Sequence, residues 1–143
     1  MSIRCLFGTA CAWLAATPVP AAPLSTCETR SGSTPVVIVE LYTSQGCSSC
    51  PPADRWLGGL RQRFGASVLP LSMHVAYWDY IGWKDPFARR EFGARQRELT
   101  RANASPSVHT PGVFVQGREL PDWSVTVRFE ARLAEVARQP AAA

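Results

Sequence analysis

The run Val36-Val37-Ile38-Val39-Glu40-Leu41-Tyr42 holds one charged side chain among six apolar ones. It has no polar alternation, so it predicts a strand covered on both faces, central in a sheet flanked by helices. A loop follows from Thr43 to Gly46. Beyond Pro51-Pro52, Leu57, Leu60 and Phe64 recur at helical spacing and predict a helix that Gly65 ends. Gly58-Gly59 weakens that helix by roughly 1 kcal/mol per glycine relative to alanine. Val68 to Val75 predicts a second strand, and Pro70 places its first part at a sheet edge. Strand, helix, strand in that order implies a parallel pair joined by a crossover.

The second half reads less sharply. An aromatic loop spans Tyr77 to Trp83. Asp85-Pro86 then supplies an N-cap acceptor and a proline for the first helical position. It predicts a helix to about Ala102 with Phe87, Phe92 and Leu99 inward. Gly112 to Gln116 predicts a third strand, and Gln116-Gly117 turns it into a short return over Arg118 to Leu120. Phe129, Leu133 and Val136 predict a last amphipathic helix, with a strand over Trp123 to Phe129 as the alternative. The whole predicts an α/β domain over residues 36–143, a mixed sheet flanked by helices.

The first residues fit none of these elements. Arg4, an apolar run from Cys5 to Ala16 and the small residues around Val19-Pro20-Ala21 have the form of a secretory signal over residues 1–21. Residues 22–35 read as a flexible lead-in. Removing 21 of the 143 residues leaves 143 − 21 = 122, enough for one core, and loss of Arg4 lowers the formal charge from +4 to +3. The arginines are scattered and interleaved with Glu91 and Glu98, so a solvated helix face is expected rather than a nucleic-acid surface. No later stretch is apolar enough to span a membrane. The expected location is the periplasm or the exterior.

Export changes the meaning of the cysteines. Cys5 and Cys11 leave with the signal, and Cys27, Cys47 and Cys50 remain. Cys47-Ser48-Ser49-Cys50 lies between a buried strand and a helix. A helix N-terminus carries partial positive charge and unpaired N–H groups, which stabilise a thiolate and lower its pKa. Cys47 is then the expected nucleophile, and Cys50, one turn on, resolves the mixed disulfide. Residues before proline avoid the α region, so the regular helix is expected to begin only at Pro52. Two readings of Glu40 compete. As a buried carboxyl it would take the proton from Cys50; otherwise it points to solvent at an edge. Cys47, Cys50 and His74 also form an alternative ligand set for copper or zinc. No glycine-rich phosphate loop occurs, so no organic cofactor is implied.

Three blocks carry a family resemblance. Glu40 to Asp54, reading ELYTSQGCSSCPPAD, His74 to Ala88, and Val108 to Pro111 followed by Gln116 to Glu119 resemble a bacterial exported thioredoxin-like family, domain of unknown function 1223. The resemblance implies a thioredoxin-like fold in which Pro111 is the cis-proline facing the dithiol and keeps a backbone edge open for substrate. That family has no established reaction, so the resemblance supports fold and export; the expected thiol–disulfide exchange with a protein or small-molecule thiol or disulfide rests on the Cys47 and Cys50 pair itself. The chain departs from the pattern at Ala76, where an aspartate is usual, and at His109, where a tyrosine is usual. Family members are usually longer, with a β-rich extension.

Overall fold

The computed structural model describes residues 35–139. The expected signal, Cys27 and the expected lead-in up to residue 34 lie outside the described residues. β1 (Val37–Thr43) leads through the cysteine loop to α1 (Pro51–Gly58) and α2 (Leu60–Phe64), then to β2 (Val68–His74). A 3₁₀ turn (Ala76–Ile81) precedes α3 (Arg90–Ala102), and β3 (Gly112–Val115), β4 (Arg118–Glu119) and α4 (Thr126–Ala137) complete the chain.

The sheet has four strands in the order β2-β1-β3-β4. β1 pairs parallel with β2, from Val37 opposite Val68 to Thr43 opposite His74. It pairs antiparallel with β3, from Val39 opposite Val115 to Tyr42 opposite Gly112. β1 is therefore the central strand its apolar run predicts, and Pro70 sits on the edge strand as expected. Gln116 and Gly117 make a two-residue hairpin between β3 and β4. Both have positive φ, 50° and 76°, which the turn type requires and which favours glycine at the second position.

Alternation along β1 divides the core into two layers. Val37, Val39 and Leu41 face Ala53 and Leu57 of α1, Leu60 of α2, and Phe129 and Val136 of α4. Trp56 closes this layer against Trp123 and Phe129, at ring separations of 5.3 and 5.2 Å. Tyr42 and Phe114 face the other way, edge to face at 5.6 Å, with Phe92 and Leu99 of α3 packed on them.

Five local expectations need correction. The first helix breaks in two at Gly59, where the Gly58-Gly59 pair loosens it. α1 begins at Pro51 rather than Pro52: Cys50 takes helical angles (φ −77°, ψ −33°) despite the proline that follows. α3 begins at Arg90, not at Asp85-Pro86. The Asp85 carboxylate accepts the Phe87 N–H at 2.9 Å and closes a turn instead of capping a helix. Phe87, expected inward, is 60% exposed. The strand alternative for Trp123 to Phe129 is replaced by a turn and the first residues of α4.

Candidate active site: a cysteine pair at the β1–α1 junction

Cys47 and Cys50 are joined by a disulfide with a Cα separation of 5.4 Å, within the normal range. Cys50 is the N-cap of α1, and its carbonyl accepts the N–H groups of Ala53 and Asp54. Pro51 and Pro52 have no N–H to offer, so the helix terminus presents fewer free donors than an ordinary one. The Ser49 hydroxyl lies 3.5 Å from Cys47 Sγ. Cys50 is fully buried and Cys47 is 3% exposed, while Ser48 and Ser49 between them face solvent.

Pro111 stands at the same end of the sheet. Gly112 opens β3 opposite Tyr42, so Pro111 precedes the strand that runs beside the last residues of β1. The Thr110–Pro111 bond is cis. Three side chains hold this segment, two from the aromatic loop and one, Gln96, that the sequence pattern did not single out. Trp78 Nε1–H donates to Thr110 Oγ1 at 2.8 Å. Gln96, buried on α3, donates to the His109 carbonyl at 2.6 Å and accepts from the Tyr77 hydroxyl at 3.1 Å. A buried glutamine on an arginine-rich helix has no spacing signal. Its role appears only once the loop is seen folding onto it.

The loop ahead of Cys47 is held from the other side. Asp85, 2% exposed, accepts the Gln45 N–H at 2.8 Å and His74 Nδ1 at 2.6 Å through the same oxygen. Burial opposes ionisation of this carboxyl, but the hydrogen bonds from Gln45, His74 and Phe87 outweigh it and hold its pKa below the usual value. Trp83 Nε1–H donates to the Gln45 side chain at 2.9 Å. Gly46 packs so closely on Ile81 and Trp78 that an added Cβ would lie 3.1 and 3.3 Å from them.

Of the two readings of Glu40, the structure bears out its burial and overturns the solvent-facing one. It is 2% exposed, so it does not point to solvent. It faces α3 rather than α1, and Arg95 Nε donates to it at 2.6 Å. That hydrogen bond and the charge attraction raise the Arg95 pKa. The period of two along β1 sets that direction: Leu41 points toward α1, and its neighbour Glu40 points away. His74 likewise gives its Nδ1 to Asp85, and among the described residues no three of His, Cys, Asp and Glu are grouped to hold a metal ion. Ala76 lines a cavity of about 270 Å³ with Tyr77, Arg90, Gly93 and Arg97. His109 is exposed, its Nδ1 3.3 Å from the Ser107 carbonyl.

Fold and site together define an α/β protein with a paired-cysteine site at the head of its first helix. The family described as "Protein of unknown function (DUF1223)" matches residues 38–143, and the chain belongs to it. The chain is also similar to a protein of Agrobacterium tumefaciens known from an X-ray crystal structure, with 38% identity and a TM-score of 0.62. That similarity covers 73% of this chain and 46% of the other, so this chain spans less than half of its length. No curated protein matches.

Proposed function

We propose that this protein is a thioredoxin-like redox protein that exchanges electrons with thiols and disulfides through Cys47 and Cys50. The observation that carries the reading is the Cys47–Cys50 bond at the β1–α1 junction, with Pro111 heading the strand beside it. In the reducing direction, the Cys47 thiolate attacks a substrate disulfide. One substrate sulfur leaves as a thiolate, and a mixed disulfide forms on Cys47. The Cys50 thiolate then attacks Cys47 Sγ, releases the second substrate thiolate and restores the Cys47–Cys50 bond. The substrate gains two electrons and the pair loses them; the oxidising direction is the reverse. Cys47 is assigned the attack because it is the less buried of the two sulfur-bearing residues. The form of residues 1–21 supports export to an oxidising compartment, where such a pair has partners.

Trapping tests this assignment. Cys50→Ser should accumulate a mixed disulfide with a disulfide-containing peptide, and Cys47→Ser should form none. Equal trapping by both variants, or by neither, would contradict the assigned roles.

A further inference from the structure

His74 is held in a way that leaves half of its chemistry unused. Its Nδ1 lies 2.6 Å from the buried Asp85 carboxylate, whose remaining bonds to Gln45 and Phe87 fix it in place. That contact sets the ring's orientation and keeps the proton on Nδ1, so Nε2 is free to accept a proton or, when protonated, to donate one. Nε2 makes no hydrogen bond among the described residues. The ring is 20% exposed and tilts over Phe87 at 5.4 Å.

The space beside it is a cavity of about 400 Å³ lined by Ser72, His74, Pro86, Phe87, Arg89 and Phe92. Its walls have two characters. Pro86, Phe87 and Phe92 are apolar, and Phe87 is 60% exposed with no covering element among the described residues. His74, Arg89 and Ser72 are polar, with one permanent cation. Arg89 is tied to His74 by its backbone, because its N–H donates to the His74 carbonyl at 3.0 Å. A fixed imidazole and a guanidinium beside an open aromatic wall form the usual pattern of a small-molecule site: apolar walls with few, placed polar groups. The combination selects a charge and a shape. A carboxylate can pair with the Arg89 guanidinium at the rim beside the imidazole, while a flat apolar body lies on Phe87.

We infer that this cavity is a binding site for a small organic acid with an aromatic or flat apolar body, anchored by Arg89 and bordered by His74 Nε2. It is distinct from the cysteine pair and does not depend on the redox reading. The probe is benzoate, with neutral benzamide as its control. Both are titrated into the full protein while the histidine side-chain ¹⁵N resonances are followed. Benzoate should saturate and move the His74 Nε2 resonance, with benzamide about tenfold weaker, the equivalent of one charge-assisted contact. Arg89→Gln and His74→Gln should each weaken benzoate by a similar factor. Should His74→Gln fail to fold, Arg89→Gln and Phe87→Ala carry the test, since both change exposed side chains. An unmoved Nε2 resonance, equal affinity for benzoate and benzamide, or unaltered benzoate binding in Arg89→Gln would each overturn the inference.

Discussion

The Asp85 carboxylate accepts the backbone N–H of Gln45 at 2.8 Å, joining two residues 40 apart in sequence. Gln45 stands two residues ahead of Cys47, so a buried charge on the segment before α3 fixes the loop that delivers the cysteine. Asp85→Ala would leave the Gln45 and Phe87 N–H groups without acceptors. Both bonds are only part-buried, so each lost acceptor costs about 1 kcal/mol, the low end for an unmet donor. Urea denaturation should show a loss of that order, and the Gln45 amide should exchange with solvent much faster. Unchanged protection at Gln45 would show that the contact does not hold the loop.

The same carboxyl gives an acid dependence. Its folded pKa lies below the unfolded value of 3.8, because the Gln45, His74 and Phe87 bonds outweigh its burial. The stability it contributes is therefore fully present above about pH 4 and is lost as pH falls through the folded value. The stability gap between the native protein and Asp85→Asn should narrow on acidification below pH 4. A gap that widened there would reverse the sign.

Tyrosines give the opposite limit. Burial, followed by the nearby Glu40 charge, raises the Tyr42 pKa well above 10.0, and burial raises that of Tyr77. Arg95 lies near enough to oppose the rise at Tyr42, yet the Tyr42 hydroxyl makes no hydrogen bond of ordinary geometry. Folded Tyr42 and Tyr77 keep their protons where the unfolded side chains lose them, so stability should fall as pH rises past 10. Tyr42→Phe removes an unpartnered buried hydroxyl. It should cost less than about 1 kcal/mol at neutral pH and reduce the alkaline loss. A large cost at pH 7 would reveal a partner for that hydroxyl.

Glu40 and Arg95 test a sign that the structure reverses. A buried carboxylate without a partner would make Glu40→Gln stabilising. With Arg95 Nε at 2.6 Å, Glu40→Gln should instead destabilise by about 1.5–3 kcal/mol, the range for a hydrogen bond to a charged group. The cost should be at the lower end, because Arg95 is 52% exposed and water screens the pair. The double variant with Arg95→Gln should lose less than the two single losses combined. Strict additivity would mean that the pair contributes nothing.

How far the sequence discloses this molecule follows from where its information is local. β1 was legible because a strand covered on both faces needs an almost continuous apolar run, broken here only by Glu40, and Pro70 marked the edge strand because proline cannot serve an inner ladder. The cysteine pair and Thr110-Pro111 were legible as short patterns. Asp85-Pro86 misled because its local chemistry suits a helix start, while its actual partners, Gln45 and His74, lie 40 and 11 residues away. Gln96 carried no signal, since nothing in helical spacing tells that a glutamine will be buried beneath a distant loop. Glu40 was seen as unusual, but its partner, 55 residues on, decides its meaning.

The central claim is that the Cys47–Cys50 bond is redox-active in the folded protein and does not merely brace the loop. The direct measurement equilibrates the purified protein across a graded series of thiol–disulfide buffers, quenches it with acid and counts modified cysteines by mass. The account predicts one two-electron transition at a defined potential, with Cys47 and Cys50 converting together while the fold stays intact. A pair that remains oxidised across the series, and yields its thiols only once the protein is unfolded, would contradict it.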